Sequence, residues 1–338
     1  MKAICIDRFV ENYNDIKVTE VTRPNPKNGE ILIQIAAAGV NFVDLLYCRG
    51  KHQNNRSLVR PPFILGLEFA GTVVSSPESS KFSPGDRVFG GSLGCYAEFI
   101  TVSEDILQCI PPEWDFVSAA GLGATAPVSY GALIDRGELK KGETVLIHAA
   151  AGGLGLIAVQ IAKAAGARVI ATAGSDEKIG VARRFGADEC VNYTTHPEWW
   201  ENVLKMTEGD GVDVVYDSVG LVGNSLKCLK WKGRILIIGF AGREGNIESV
   251  AMNRVLLKQA KLIGYRFGMT ERMGPGETAN TWKALSSMLS KGLLKPTVYD
   301  HEYRGLESVS HALKDLGERK VWGKAVVRIK VGGQSSRL

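Results

Sequence analysis

The chain has 338 residues, of which 45% are hydrophobic and 23% are charged, the composition of an ordinary globular protein. This length is too great for one typical core and predicts two domains, and the composition argues against disorder over most of the chain. The 41 basic and 36 acidic residues give a net charge of +5 without a long basic run, which argues against a nucleic-acid-binding protein.

The first part of the chain predicts a β-rich domain. Short β-branched segments, separated by Pro, Asn and Gly, run over residues 1–6, 16–21, 30–37, 69–74, 86–89 and 95–102. Turns recur about every ten residues, as at Ser83-Pro84-Gly85-Asp86. Many short strands with such turns indicate a partly open barrel.

The middle of the chain predicts alternating strands and helices. After a helix over 118–133, strands are expected at 143–148, 168–172, 189–192, 213–216, 234–238 and 262–265, with helices at 153–165, 176–185 and 225–229. Near-continuous apolar strands between helices indicate a parallel sheet covered on both faces, the doubly wound α/β fold. A helix over 281–291 and a strand over 323–329 follow, and we expect this end to pack back on the first domain.

Two sequence features exclude other classes of protein. The apolar stretch over 145–162 is interrupted by three glycines and His148, so it predicts a strand, a turn and a buried helix rather than a membrane span. The six cysteines contain no C-x-x-C pair, so neither a structural zinc lobe nor a redox dithiol is expected. We expect buried, reduced thiols and no membrane partner.

A glycine-rich turn predicts a dinucleotide site. The strand ending at His148 leads into Ala149–Gly155 and then into a helix, the context that such a motif requires. Gly152 allows a pyrophosphate to approach the backbone, and Gly155 allows the helix to pack close to the strand, although Ala150 replaces the first glycine. The N–H groups at the helix N-terminus face the phosphates. The expected phosphate contacts are therefore Ala151, Gly152, Gly153 and Leu154; the alternative is a tight turn without a ligand.

The tip of the second strand favours NADPH over NADH. Ala173-Gly174-Ser175 carries no carboxylate that would bind a ribose 2′-hydroxyl and repel a 2′-phosphate, and Lys178 and Tyr193 can reach this tip. Asp176 and Glu177 are acidic residues close to this tip and argue against NADPH. The alternative is that they interact favourably with the N-terminal end of a helix that is capped by Ser175. Two later turns, Asp217–Gly220 with Ser218 and Gly239–Gly242 with Phe240, either face the nicotinamide or are ordinary turns.

Motifs spread over nearly the whole chain resemble one known family. They are Gly39–Asp44 (GVNFVD), Gly66–Gly71 (GLEFAG), Gly85–Val88 (GDRV), Ala149–Gly155, Ala173–Lys178, Val191–Tyr193 and Val215–Gly220 (VYDSVG). In order and spacing they resemble the medium-chain dehydrogenase/reductases, in the zinc-free quinone oxidoreductase (zeta-crystallin-like) branch. Pro127–Gly131 and Gly239–Gly242 look most like the quinone oxidoreductase-like subgroup.

This resemblance implies a domain organisation and an activity. It implies a GroES-like catalytic domain over 1–122, completed by 266–330, a Rossmann domain over 123–265 and a flexible tail over 331–338. It implies a homodimer that binds NADPH and passes hydride to quinones or α,β-unsaturated carbonyl compounds. Asn41 is implied beside the nicotinamide and Arg319 against the cofactor, while Gly174, Lys178 and Tyr193 are implied at the 2′-phosphate.

The same comparison predicts that no metal is bound. Zinc-dependent relatives carry Cys where this chain has Asn41 and His where it has Leu67, so Glu68 alone remains of that set. One carboxylate cannot hold a catalytic zinc ion, which needs about three protein ligands. Two departures from the quinone reductases make that family a weaker guide to the substrate of this chain. Val128 stands where many have Thr, and His52 stands where a Tyr is often found.

The chemistry requires a hydrogen-bond donor near the carbonyl oxygen, where negative charge develops. The candidate catalytic residues are Asn41, Tyr47 and His52, although Tyr47 could equally serve packing and His52 be a solvated loop residue. Three functions remain open: a quinone or enone reductase, an enoyl-CoA (thioester) reductase aided by Lys51, Arg56 and Arg60, and a non-catalytic NADPH-binding protein.

The last three residues suggest a location. Ser336-Arg337-Leu338 resembles the S-K-L peroxisomal address, with Arg in place of Lys. The expected location is therefore peroxisomal or cytoplasmic, with a peroxisomal import receptor as a possible partner at the tail.

Overall fold

The computed structural model describes residues 1–52, 59–243, 247–274 and 276–329, apart from the side chains of Glu271 and Arg272. Arg56 and the tripeptide Ser336-Arg337-Leu338 lie outside these ranges. The strands are β1 Lys2–Ile6, β2 Val18–Glu20, β3 Glu30–Gly39, β4 Phe63–Ile64, β5 Glu68–Ser75, β6 Arg87–Gly91, β7 Phe99–Ser103, β8 Gln108–Cys109, β9 Thr144–Ile147, β10 Arg168–Ala173, β11 Glu189–Asn192, β12 Val212–Asp217, β13 Leu229–Ile237, β14 Lys261–Gly264, β15 Tyr303–Arg304 and β16 Val326–Arg328.

The helices are concentrated in the second half of the chain. They are α1 Phe42–Cys48, α2 Phe116–Ala120, α3 Thr125–Tyr130, α4 Gly153–Ala164, α5 Asp176–Arg184, α6 Trp199–Met206, α7 Val222–Ser225, α8 Met252–Lys258, α9 Phe267–Met273, α10 Glu277–Ser290 and α11 Val309–Gly317. A π-helical turn over Gly131–Arg136 continues α3. Across the described residues, no helix combines the length and the apolar character needed to cross a membrane.

The chain divides into two compact units. The first comprises Met1–Ala124 and the chain from Pro296 onward, and the second comprises Thr125–Lys295. The sequence prediction placed 266–330 with the first domain, whereas in the structure residues 266–295, with α9 and α10, belong to the second unit. Helix α10 packs against α3, an element of the second unit, which accounts for the difference.

The second unit is a parallel six-stranded sheet in the order β11-β10-β9-β12-β13-β14. Counted from β9, this is the strand order 3-2-1-4-5-6 of a Rossmann fold, so the expected doubly wound sheet is confirmed. Its first strand, β9, lies between β10 and β12, and the chain reverses direction across the sheet at that point. Ligands bind outside the carboxyl ends of strands at such a switch point. The loops after β9, β10, β12 and β13 are therefore the ones to examine.

The first unit is mainly antiparallel and centres on β3. This strand pairs with β5, β7 and β16, and its buried face of Ile31, Ile33 and Ile35 lies in the core of the unit. At the end of β3, Gly39 stands opposite Glu68 in β5 and opposite Val326 in β16. Three segments distant in sequence therefore converge just beyond Gly39, where the chain continues to Asn41.

Two predicted helices differ from those observed. The helix expected over 118–133 is broken between α2 and α3. At the break, Gly123 lies so close to β6 that a Cβ there would be 2.2 Å from the carbonyl oxygen of Gly90. The helix expected over 225–229 lies earlier, at α7, and Leu229 already begins β13.

Candidate functional site

The turn after β9 leaves a helix N-terminus open. Gly152 is the N-cap of α4 in extended conformation, and it provides no side-chain cap. Among the described residues, the first N–H groups of α4, from Gly153 and Leu154, therefore have no side-chain acceptor. Free N–H groups and the partial positive charge of a helix N-terminus favour an anion such as a pyrophosphate.

The same turn requires glycine at one position and leaves room at another. A Cβ on Gly155 would lie 2.4 Å from the carbonyl oxygen of Ala149, so only glycine allows α4 to lie this close to the turn. Among the described residues, a Cβ on Gly152 would meet that same oxygen alone, at 3.2 Å. Ala149 itself adopts a left-handed conformation, with φ of 49°, which a non-glycine residue adopts at a cost. With respect to the described part of the chain, the backbone therefore leaves a space beside Gly152.

Ser129 and Tyr216 hold the first turn of α4 through a chain of hydrogen bonds. The Ser129 hydroxyl donates to the carbonyl oxygen of Leu154 at 3.0 Å, and the Tyr216 hydroxyl lies 3.1 Å from the same Ser129 oxygen. Because Ser129 uses its hydrogen on Leu154, Tyr216 is the donor of the second bond. Both side chains are fully buried, so the bonds tie α3 and β12 to the first turn of α4.

His148 is a core residue rather than a ligand. Its Nδ1 lies 3.0 Å from the Thr172 hydroxyl and its Nε2 lies 2.9 Å from the Ser225 hydroxyl. Ser225 donates to the carbonyl oxygen of Leu221, so it accepts from Nε2–H of His148. Burial lowers the pKa of His148, which keeps the ring neutral. The ring links the ends of β9 and β10 to α7.

The tip of β10 is formed by Gly174 and Tyr193. A Cβ on Gly174 would lie 2.6 Å from the Tyr193 hydroxyl, so these two residues are in direct contact. Ser175 caps α5 by accepting from the N–H of Lys178 at 3.3 Å. Asp176 accepts from the side-chain amide of Asn192 at 2.9 Å. The carboxylate that opposed NADPH in the sequence is therefore engaged in fixing the start of α5.

The turns after β12 and β13 meet each other. The Asp217 carboxylate accepts from the N–H groups of Val219, Gly220 and Leu221 at 2.8, 2.8 and 2.6 Å, which closes the first turn on itself. A Cβ on Gly239 would lie 3.3 Å from the carbonyl oxygen of Ser218. Phe240 adjoins Gly220. The structure thus brings together the two turns that carry Ser218, Gly239 and Phe240.

In the first unit, Asn41 belongs to a buried polar network that the sequence did not reveal. Lys324 Nζ donates to Asn41 Oδ1 at 2.8 Å, to the carbonyl oxygen of Val40 at 2.8 Å and to Glu68 Oε1. Asn41 Nδ2 donates to Glu68 Oε1 at 3.0 Å, and the N–H of Ala124 donates to Glu68 Oε2 at 2.9 Å. Lys324 and Glu68 side chains are 3% and 0% exposed. This is a buried ion pair with each partner hydrogen-bonded.

A second buried carboxylate lies beside this pair. Asp44 Oδ2 accepts from the N–H of Asn41 at 2.9 Å and from the Tyr96 hydroxyl at 2.6 Å. Burial raises the pKa of Asp44 to about 7, against the lowering effect of these hydrogen bonds and of Lys324. Burial next to Asp44 also raises the pKa of Tyr96 well above its usual value. Lys324, Asp44 and Tyr96 are the site residues that sequence reasoning missed.

This donor set does not fit a zinc ion. Asn41 and Glu68 both contact the ammonium group of Lys324, and the side chain of Leu67 has no atom that could bind a metal. In the part of the chain that the structure describes, no group of three or more His, Cys, Asp or Glu side chains could hold a metal ion.

Tyr47 and His52 lie together at the other end of α1. Their ring centroids are 4.7 Å apart. Tyr47 is in the last turn of α1, about 9 Å along the helix axis from Asn41 at its N-cap. Tyr47 also packs against the core of the first unit. Arg319 follows α11 in a left-handed conformation, with φ of 59°.

Comparison with known proteins agrees with this architecture. A model described as an alcohol dehydrogenase GroES-like domain matches residues 27–112, and one described as a zinc-binding dehydrogenase matches residues 153–290. Quinone oxidoreductase-like protein 2 of Bos taurus is 35% identical over 323 residues, which cover 93% of this chain and 89% of the relative.

Solved structures extend the likeness over the whole chain. A mycobacterial protein in complex with NADPH superposes with a TM-score of 0.86 at 29% identity, covering 97% of this chain and 99% of the other. The CurK enoyl reductase superposes with a TM-score of 0.87 at 27% identity, covering 97% and 99%. With its two matched domains and its curated relatives, this chain belongs to the quinone oxidoreductase branch of the medium-chain dehydrogenase/reductase family and is an oxidoreductase.

Proposed function

We propose that this protein is an NADPH-dependent reductase that transfers hydride, without zinc, to quinones or α,β-unsaturated carbonyl compounds. The observation that carries the proposal is an open helix N-terminus at Gly152 combined with a β10 tip whose first carboxylate, Asp176, is held by Asn192. The first feature suits a pyrophosphate and the second suits a 2′-phosphate. The NADPH complex of the mycobacterial relative supports the same cofactor.

Three groups of residues would hold the cofactor. Peptide N–H groups around α4 would bind the pyrophosphate, the β10 tip would bind the 2′-phosphate, and the turns after β12 and β13 would face the nicotinamide half. In that order they are Ala151, Gly152, Gly153 and Leu154; Gly174, Ser175, Lys178 and Tyr193; and Ser218, Gly239 and Phe240, with Asn41 and Arg319 expected from the first unit.

When bound, NADPH supplies the hydride, which adds to the β-carbon of an enone or to a quinone ring carbon. The electron pair of the double bond moves onto the carbonyl oxygen, where the side-chain amide of Asn41 is the proposed hydrogen-bond donor. A proton then completes the reduced product. Tyr47 and His52, whose rings pack together, are the proposed protein sources of that proton, with water as the alternative.

Cofactor preference tests the β10 tip. Titration of the purified protein with NADPH and with NADH, followed by fluorescence, should give much tighter binding of NADPH. Lys178→Met should weaken NADPH binding about tenfold or more, the range for a charge-assisted bond, and leave NADH binding unchanged. Lys283→Met, at an exposed position on α10, is the matched control. Equal affinities for the two cofactors in the wild type would contradict the proposal.

An acceptor panel tests the substrate class. NADPH oxidation should be followed with quinones, short enones and enoyl thioesters, before and after treatment with a strong chelator. A thioester is the second candidate, because the CurK enoyl reductase shares this fold and Lys51 and Arg60 lie at the described edges of the loop after α1. Turnover that is lost on chelation would contradict a zinc-free mechanism. Binding of NADPH without turnover of any acceptor would favour the non-catalytic alternative.

We also propose that the protein is a homodimer joined at β14. This strand ends the six-stranded sheet with β13 as its neighbour, and an open strand edge can pair with a second copy. Helix α8, which precedes β14 by two residues, leaves Leu256 76% and Leu257 75% exposed. Light scattering should give a dimer for the wild type and for Lys283→Glu, and a monomer for Leu257→Glu. A monomeric wild type would contradict the proposal.

Peroxisomal import through Ser336-Arg337-Leu338, rather than cytoplasmic residence, is a separate proposal. A fluorescent protein fused to the N-terminus should collect in peroxisomes, and one residue added after Leu338 should return it to the cytoplasm. Diffuse fluorescence of the first fusion would contradict it.

A further inference from the structure

The ammonium group of Lys324 lies in a cage of three oxygen atoms. They come from the Val40 backbone, the Asn41 side chain and the Glu68 carboxylate. An ammonium group has three hydrogens to donate, and each of them has an acceptor here. The side chain is 3% exposed, so the group cannot turn toward another partner without leaving the cage.

This cage decides which way the amide of Asn41 faces. Lysine only donates and an ionised carboxylate only accepts, so Asn41 must present Oδ1 to Lys324 and Nδ2 to Glu68. Asn41 is the N-cap of α1, where an asparagine side chain commonly accepts from the helix backbone. Here the N–H of Asp44 donates to the backbone oxygen of Asn41 at 3.0 Å and also faces the Asn41 side chain in a capping box, so Oδ1 points toward both the start of α1 and Lys324.

The orientation has a chemical consequence. Nδ2 carries two hydrogens, and one of them is used by Glu68. The other has no acceptor among the residues that the structure describes, so it can serve as a donor. If the amide were turned over, Oδ1 and its lone pairs would take that position, and a developing negative charge on a substrate oxygen would meet an acceptor instead of a donor.

We propose that Lys324, with Glu68 as its counter-ion, is a positioning residue that holds the amide of Asn41 with a hydrogen of Nδ2 directed to the reacting carbonyl oxygen. The proposal deepens and rests on the proposed reductase function, in which Asn41 is the donor. Lys324 acts through Asn41 and not on the substrate, because its three hydrogens are already taken.

A double-mutant cycle on turnover is the first test. Asn41→Ala should lower kcat about 100-fold, the range for loss of one donor to a developing oxyanion, and Lys324→Met should lower it about tenfold or more. Once Asn41 is Ala, adding Lys324→Met should change kcat by less than about twofold, because the cation then has no amide to hold. Lys324→Met alone should also increase the primary isotope effect from 4-deuterated NADPH, since hydride transfer becomes slower.

The second test does not depend on turnover. In protein labelled with ¹⁵N-asparagine, the side-chain signal of Asn41 is identified by its loss in Asn41→Ala. The hydrogen bound to Glu68 should exchange slowly with solvent in the wild type and about tenfold or more faster in Lys324→Met. Lys324→Met leaves the buried Glu68 carboxylate without its counter-ion. We therefore also measure the double variant Glu68→Gln/Lys324→Met, which removes both charges. The double variant should fold, and its kcat should be lowered to a similar extent as that of Lys324→Met.

The outcomes separate this inference from the proposed function. A wild type that binds NADPH without turnover would contradict both the reductase function and the positioning role of Lys324. A wild type that turns over, combined with independent effects of Asn41→Ala and Lys324→Met on kcat, removes the positioning role alone. Unchanged exchange of the Asn41 amide in both lysine variants removes it as well.

Discussion

Asp44 is expected to make the first unit less stable as the pH rises toward neutrality. The side chain is fully buried, and Oδ1 has no hydrogen-bond partner in the described part of the chain. Its pKa is raised from 3.8 to about 7 because burial disfavours the charged form. This rise in the pKa of Asp44 corresponds to about 4 kcal/mol.

The sign follows from the two protonation states. Below about pH 4, Asp44 is protonated in the folded and unfolded chain and contributes no difference. Between pH 4 and pH 7, the unfolded chain ionises while the folded chain keeps the proton, so the free energy of unfolding falls. Above pH 7 both states are ionised and the full penalty is present.

Asp44→Asn removes this titration and can be followed by urea unfolding at pH 5 and pH 8. The variant should gain about 2–3 kcal/mol more, relative to wild type, at pH 8 than at pH 5. At either pH it also carries a new buried donor at the position of Oδ1, which costs about 1–3 kcal/mol. Asp300→Asn, at an exposed position in the same unit, is the control and should show no such difference. An identical effect of Asp44→Asn at both pH values would refute the reasoning.

Three further outcomes are expected. Gly155→Ala should lower the free energy of unfolding by about 1–3 kcal/mol, because its Cβ would press on the Ala149 carbonyl; wild-type stability in urea would contradict this. Tyr216→Phe should cost about 1 kcal/mol, since the bond to Ser129 is lost, and an unchanged melting curve would argue against that bond. The exposed Cys109 should react first with a thiol reagent under native conditions, and Cys109→Ser should remove this fast phase.

The turn after β9 and the tip of β10 could be predicted as structural features because their signals are local. A strand, a glycine turn and a helix follow one another within a few residues, so Gly152 and Gly155 could be assigned before the structure was known. The tip of β10 is similar: Gly174 and Tyr193 end neighbouring parallel strands, and the alternation of strands and helices places them together. The engagement of Asp176 by Asn192 needed the structure, because the two residues lie 16 positions apart on different elements.

The network around Asn41 could not be predicted in this way. Lys324 lies 283 residues from Asn41, in a segment that looked like an ordinary final strand. No periodicity links the two, and only the pairing of β16 with β3 brings them together. The helix α1 was missed for a related reason, since seven residues with a buried Asp44 give too short an amphipathic pattern to recognise.

The discontinuity of the first unit has a consequence for biosynthesis. Strand β3 is made early, but its neighbour β16 emerges from the ribosome only after the whole of residues 125–295 has been synthesised. The sheet of the second unit has all its strands by then, and domains generally fold as units during synthesis. Until β16 arrives, Ala37–Gly39 of β3 lack a partner on one side, because β7 pairs there only with Glu30–Gln34. Nascent chains stalled between β14 and β16 should be those that depend most on chaperones.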